Sequence, residues 1–448
     1  MKNPLERVLV IGAGLAGVEA AHILARNGIA VELYEMRPSV MTPAHRTDHL
    51  AELVCSNSFK GTDPLTAHGM LKQEMTELGS LVLQVAHQVR VPAGKALAVD
   101  RTVFAKTITH RILSHDLIFL VRQEMRRIDP RRFSVVATGP LTSDPLARDL
   151  AEKTGSNRLF FYDAISPIVD GSSIDMDTAF FGSRWDPQST DYLNVPLDED
   201  LYTSFVRELQ NADRVQPHPF EDAKYFEACL PIEVIAARGM DALRYGPMRP
   251  VGFSDPASGK RPYALIQLRR ENLAGGAYNL VGFQTRLSHP EQLRVLRMIP
   301  AFSQVELLRF GSIHRNTYLD SPRVLSQDMS LKNFPNILLA GQVTGVEGYM
   351  ESAASGIIAG LALVKKLRGE SFSPPGAGTA LGSLISYITD KENTVFQPMN
   401  INFGIMPSPN VHRKDRQKAR FEQERTEFSL WMESLEGLLE KNPEETRP

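Results

Sequence analysis

Two side chains in this sequence are soft nucleophiles by type, Cys55 and Cys229, and one spaced set of glycines, Gly12, Gly14 and Gly17, has the geometry to cradle a phosphate. The cysteines lie far apart and in no C-x-x-C pattern, which argues against a disulfide framework or a zinc site and predicts a reducing, cytoplasmic setting. Each falls at an element boundary. Cys55 follows the apolar run from Leu50 and is followed by the turn formers Ser56-Asn57-Ser58; Cys229 directly precedes Leu230-Pro231. A lone cysteine is ordinarily a small buried hydrophobe. At a turn facing a cofactor it is instead a reactive thiol. The residues by themselves leave that choice open.

The glycines are more decisive because of what surrounds them. Val8 to Ile11 reads as a buried parallel strand and runs straight into Gly12-Ala13-Gly14-Leu15-Ala16-Gly17, after which Glu19 to Ala25 has helical spacing. Gly12 permits the tight turn, Gly14 lets a pyrophosphate approach the backbone, and Gly17 lets helix and strand lie close. A second strand, Ile29 to Tyr34, ends in Glu35-Met36-Arg37, which places a carboxylate about 20 residues on for the ribose hydroxyls. The unit binds FAD or NAD. Near the other end, Asn336 to Gln342 reads as a strand. Val343 to Tyr349 is a glycine-spaced loop, and Glu351 to Leu361 is a helix of small residues. Gly341, Gln342, Val346, Glu347 and Tyr349 thus form a second cofactor-contacting element, which favours FAD over NAD. Tyr349 is either a ring that stacks on a ligand or an ordinary packed tyrosine.

These elements need a large scaffold, and 448 residues allow two or three domains. The pattern predicts an α/β fold: a Rossmann-like FAD-binding domain with an inserted, largely antiparallel α+β domain. The first part spans residues 1–164, the insertion 165–310, and the returning part 311–448 with a helical tail. Periodicity predicts one helix over 67–86, another over Thr102 to Leu113 and a third near Glu199 to Gln210. The formal charge of −2 gives no whole-molecule attraction to nucleic acid, so RNA contacts would need a local basic face. The clusters Arg122 to Arg132 and Arg413 to Arg425 read as solvated surface before they read as such faces. No apolar run is long enough to span a membrane, and no metal site is expected.

Several stretches together carry a resemblance: Tyr34-Glu35-Met36-Arg37-Pro38, Leu53-Val54-Cys55-Ser56-Asn57-Ser58, Val91-Pro92-Ala93-Gly94 through Asp100-Arg101, Phe226-Glu227-x-Cys229-Leu230-Pro231 and Gly345-Val346-Glu347-Gly348-Tyr349-x-Glu351-Ser352. With the glycine fingerprint, they make the chain similar, end to end, to the TrmFO family of folate- and FAD-dependent tRNA (uracil-5-)-methyltransferases, relatives of the GidA-type flavoproteins. The resemblance implies 5-methyluridine formation in the tRNA T loop. Methylenetetrahydrofolate would be the carbon donor, reduced FAD the hydride donor, and NADPH or NADH the reductant of FAD. It assigns Cys229 to addition at carbon 6 of uracil, and Cys55 to proton or methylene handling at the flavin. Ribosomal RNA, the substrate of a sister group, is one alternative. A flavin-dependent oxidoreductase unrelated to RNA is another, but it would want paired thiols or a second nucleotide fold, and the sequence has neither.

Overall fold

The apolar tetrad Val8–Ile11 is buried along its whole length and lies inside a six-stranded sheet. In this computed structural model, which describes residues 7–155, 159–215, 230–394, 396–412 and 414–438, the sheet order is Ser330–Leu331, Phe334–Leu339, Ser134–Val136, Val8–Ile11, Val31–Tyr34, Ile118–Val121. All neighbours are parallel except the Ser330–Leu331 edge. Central strands covered on both faces read as unbroken apolar runs, which is why Val8–Ile11 shows no alternation. Phe334–Leu339 arrives from far along the chain and pairs beside Ser134–Val136, so the sheet closes only after the insertion has been made.

Helix Leu15–Arg26 lies against helix Tyr349–Arg368, and the contact depends on missing side chains. A Cβ on Gly356 would sit 2.2 Å from the carbonyl oxygen of Ala16. One on Gly360 would lie 3.0 Å from Ile23 Cβ. Overpacking in a formed core typically costs ~1–3 kcal/mol, and a clash with backbone leaves no rotamer that relieves it. Gly356→Leu is therefore expected to lower Tm by several degrees and to strip FAD from the purified protein, measured by thermal melts and visible absorbance.

The single helix expected over 67–86 is two, Ala67–Glu77 and Leu81–Gln88. Gly79 turns at φ +76°, and Ser80 caps the second helix by accepting from Leu83 N at 3.1 Å. Glu19, buried in the first helix, adds acceptors for Leu81 N and Val82 N at 3.1 and 3.0 Å. Tertiary capping thus overrides a continuous apolar stripe.

The region between the two parts of the parallel sheet carries a second, antiparallel sheet. Its order is Phe180–Phe181, Tyr192–Leu197, Ala264–Arg270, Ala277–Leu280, Ile168–Asp170, Leu307–Arg309. It has a core of its own, in which Leu193, Val195, Ile266 and Leu268 meet Tyr202 and Phe205 of helix Glu199–Asn211. Strands Leu159–Ile165 and Ser312–Tyr318 pair antiparallel where the chain leaves and re-enters the parallel layer.

The C-terminal helix Arg416–Glu433 is not merely solvated: Glu424, Phe428 and Trp431 are buried. Glu74 accepts from Ala380 N and Leu381 N at 2.7 Å each, with Glu424 beside it. Burial first, then the neighbouring acid, pushes the Glu74 carboxyl well above its usual range, and burial raises Glu424. Folded pKa values above the unfolded ones mean that the folded state binds more protons. Stability is then full below the ordinary carboxylate range and is lost as pH rises through the raised values. Arg425 and Glu77, paired at 2.9 Å, are the other charges facing the site. Glu424→Gln is expected to flatten the alkaline fall of Tm, read from melts between about pH 6 and pH 9.

Candidate active site

A cleft of about 150 Å³ opens at the carboxyl ends of the parallel strands, where open α/β sheets bind their ligands. Gly12, Ala13, Gly14, Leu15 and Ala16 form one wall. Gly12 has φ +98°, and a Cβ there would lie 2.6 Å from the Ala137 carbonyl. At Gly17 a Cβ would lie 1.7 Å from the Gly12 carbonyl, so Gly17 packs beneath the turn rather than lining the cleft. Around Gly14 there is open space, with no atom within 4 Å of the missing side chain. Gly14 also caps helix Leu15–Arg26 without any side-chain acceptor, leaving the helix N-terminus to meet an anion. These residues fit a dinucleotide.

Glu35, Met36 and Arg37 line the same cleft. The Glu35 carboxylate accepts from Ala13 N at 3.2 Å, Arg37 N at 3.0 Å and Arg37 Nε at 2.9 Å. Burial works to raise its pKa, but the hydrogen bonds and charge of Arg37 win and hold it below the usual carboxylate range. Arg37 is itself anchored to Glu52 at 3.1 Å and to the Thr47 carbonyl at 3.2 Å. His45 also lines the wall, 2.6 Å from the Thr42 hydroxyl. Burial, then the charge of Arg37, lowers its pKa to about 4, so it stays neutral.

The opposite wall is the returning element. Gly341, Gln342 and Tyr349 line it, with Gly341 at φ +80° donating its N–H to Ser355 Oγ at 2.7 Å. Val346 and Glu347 do not line it. Val346 is buried and bridges to Met399, and Glu347 accepts from Gln342 Nε2 at 2.5 Å, so both brace the loop. Beside Tyr349, the buried Glu351 carboxylate gathers Lys60 Nζ at 3.4 Å, His68 Nδ1 at 3.6 Å and Ile401 N at 3.2 Å.

Cys55 is half-buried, one residue beyond Val54 of the cleft wall. Its N–H donates to the Tyr349 hydroxyl at 2.7 Å. Burial, reinforced by Cys55, pushes that hydroxyl's pKa up, so it remains protonated. Arg101 reaches under the Cys55 loop, donating to the Leu53 carbonyl at 3.0 Å and the Cys55 carbonyl at 3.4 Å. It also forks onto Glu271 of the antiparallel domain at 2.7 and 3.0 Å. Asn57, fully buried, donates to the Val99 and Arg270 carbonyls at 2.9 Å each and accepts from Arg269 Nε at 2.8 Å. The loop bearing the thiol is therefore fastened from both layers. Cys229 lies outside the described residues. Just after it, Ile232 N donates to the Gln284 carbonyl at 2.7 Å and Glu233 accepts from Thr285 Oγ1 at 2.9 Å.

Sequence reasoning missed Glu271, Arg269, Lys60 and His68, whose partners are remote in the chain, and named Arg101 and Asn57 only as motif letters. Among the described residues no cluster of three or more His, Cys, Asp or Glu could hold a metal ion, and no helix is long and apolar enough to cross a membrane.

Residues 7–371 match the family described as glucose inhibited division protein A. The methylenetetrahydrofolate--tRNA-(uracil-5-)-methyltransferase TrmFO of Syntrophomonas wolfei is 51% identical over 414 residues, 92% of this chain and 95% of its own length. The protein of the same name from Moorella thermoacetica is 52% identical over 408 residues, covering 91% and 93%. Among solved structures, Aquifex aeolicus GidA matches 98% of this chain and 74% of its own with a TM-score of 0.71. Its sequence identity is 16%, so this likeness speaks to the fold.

Proposed function

This chain belongs to the glucose inhibited division protein A family, within its TrmFO group, and we propose that it methylates carbon 5 of a uracil in the T loop of tRNA, using methylenetetrahydrofolate and bound FAD. The observation that carries this reading is the pairing of end-to-end identity near one half with a cleft built for a dinucleotide. The open cradle at Gly14 and the bare helix N-terminus receive the pyrophosphate, and Glu35 receives ribose hydroxyls. The N-terminus of helix Tyr349–Arg368, capped by Gly348 with no side-chain acceptor, favours negative charge at the ring end. When bound, FAD supplies the reducing equivalents that turn a methylene unit into a methyl group, and NADPH or NADH restores them.

The protein's own work lies in activating the base. Carbon 5 of uracil is a poor nucleophile until a group adds at carbon 6, and a thiolate does so because it is soft even when only partly ionised. We assign that addition to Cys229. Its sulfur bonds to carbon 6, carbon 5 takes the one-carbon unit as that unit's bond to its carrier nitrogen breaks, and the carbon 5 proton leaves. Once a hydride has made the unit a methyl group, expulsion of the sulfur as thiolate restores the double bond. Cys55, fastened beside Tyr349 at the cleft, is assigned to handling the proton or methylene there. The test supplies folate labelled on its methylene carbon, NADPH and unmodified tRNA. Label in 5-methyluridine is the expected result. No label in tRNA, with FAD bound and NADPH oxidised, would overturn the tRNA assignment, and label in ribosomal RNA would then identify the acceptor.

A further inference from the structure

Away from the cleft, the two most exposed large apolar side chains among the described residues are both aromatic, Trp185 at 75% and Tyr245 at 74%. Each follows an arginine in the antiparallel domain: Trp185 follows Arg184 on a turn, and Tyr245 follows Arg244 at the end of the short helix Ala242–Tyr245. Trp185 is held out by its own backbone. Its φ is +66°, a left-handed conformation that bulky side chains adopt only where the surroundings impose it. The surroundings do so here. Ser183 and Asp186 exchange backbone hydrogen bonds at 2.9 and 3.0 Å across the turn, and Trp185 N donates to the Gly252 carbonyl at 2.9 Å. Gly252 makes room for the ring, since a Cβ there would fall 2.9 Å from the indole and 2.5 Å from Arg184 Cγ. The indole therefore rests against the backbone at Gly252, and its remaining surface stays in solvent. Such an arrangement forgoes both burial and a relaxed backbone, a combination that clusters at ligand-binding positions.

The turn lies toward the thiol loop. It follows strand Phe180–Phe181, and the Arg270 guanidinium lies 5.4 Å from the Phe181 ring while the Arg270 carbonyl accepts from Asn57, two residues past Cys55. Tyr192, which opens the next strand, donates its hydroxyl to the Ala93 carbonyl of the dinucleotide domain at 3.0 Å. Two exposed arginines belong to these elements: Arg184 on the turn, its guanidinium 5.9 Å from the Phe253 ring, and Arg249 on the Gly246–Gly252 loop that holds the indole. The surface next to the ring is polar or small, with Asp186, Pro187, Gln188 and Thr190 all exposed. A protein partner would want a contiguous apolar patch around an anchor of this kind. One open π-face, with exposed arginines on its own turn and on the loop that holds it, instead matches an unpaired base and its phosphates.

We propose that Trp185, with Arg184 and Arg249, is a stacking platform for an unpaired base of the RNA substrate, placed before the Cys55 loop. This rests on the RNA-methylating reading above, which names the partner class but no contact. The two tryptophans are distinguishable, because Trp431 is buried and donates its indole N–H to the Ser373 carbonyl at 2.9 Å.

The test titrates the full-length FAD-bound protein with an unmodified T-arm RNA hairpin and follows indole emission. Quenching is expected in the wild type and not in W185A. Affinity for the hairpin should weaken ~10- to 100-fold in W185A, the range that base–aromatic stacking provides. W185F should recover most of it, and the loss should appear in KM for tRNA rather than in kcat. Equal affinity in wild type and W185A, or a W185A defect confined to self-association in sedimentation, would overturn the platform. A wild type that binds the hairpin through Trp185 yet puts no label into it would refute methylation and leave the platform standing. A wild type that methylates while W185A matches it in KM would refute the platform alone.

Discussion

Cys229→Ala is expected to abolish methyl transfer to RNA, by at least ~10³-fold and therefore upward of ~4 kcal/mol of transition-state stabilisation, while the protein keeps its yellow colour. The two halves of that expectation have separate origins. Without addition at carbon 6, carbon 5 of uracil never becomes an enolate carbon and stays too weak a nucleophile, and no arrangement of donor and reductant makes up for a missing thiolate. The dinucleotide cradle is built from Gly12 to Ala16, Glu35 to Arg37, and Gly341, Gln342 and Tyr349, which follow three strand ends of one parallel sheet. Flavin content and its visible spectrum should therefore match the wild type. Single-turnover transfer of labelled methylene to tRNA is the measurement. Residual transfer above a few per cent would remove Cys229 from the addition step, and loss of FAD would mean that the side chain supports the cradle instead.

What was legible in the sequence is what a local constraint dictates. Gly12 and Gly17 must be glycine because their missing Cβ atoms would meet backbone 2.6 and 1.7 Å away, and that need writes itself into a six-residue window. The helix expected from Thr102 begins one residue earlier, at Arg101, where the Asp100 carboxylate caps Thr102 N and Val103 N within the same turn. Of the arginines over 122–132 expected on a solvated surface, Arg126, Arg127 and Arg131 are exposed, while Arg122 is half-buried and donates to the Arg37 carbonyl at 2.9 Å. The illegible parts are those set by distant partners. Nothing near Gly79-Ser80 announces that Glu19 will cap a second helix there. The exposed Trp185 looks in sequence like any core aromatic, since only the folded turn shows that it points outward. Arg101 is the sharpest case, because its carboxylate partner stands 170 positions away, across the junction between the two layers.

Arg101→Met should accordingly lower stability by ~3–5 kcal/mol, the usual consequence of leaving one member of a buried ion pair alone. Glu271 is buried and receives both arms of the guanidinium, so the variant strands a carboxylate that water cannot reach. Burial works against the charge of Arg101, and Glu271 outweighs it, which keeps the guanidinium fully ionised. The double variant Arg101→Met, Glu271→Met removes both charges with similar volume and should recover most of the lost Tm. Activity should not follow. Arg101 also donates to the Leu53 and Cys55 carbonyls, and those bonds are gone in the double variant whatever its stability. The Cys55 loop would then keep its Tyr349 tether and lose the clamp to the antiparallel domain. The expected signature is a near-normal melt, faster alkylation of Cys55 by iodoacetamide, and methyl transfer reduced in kcat by ~10- to 100-fold, as a displacement of about 1 Å at a reacting group produces. Arg101→Lys keeps the charge but cannot fork, and should fall between wild type and the single Met variant. If the double variant regains both Tm and turnover, Arg101 is a latch between layers and nothing more. If Tm returns without turnover, the guanidinium sets the position of the thiol loop, and the antiparallel domain that carries Glu271 shares in holding Cys55 at the cleft.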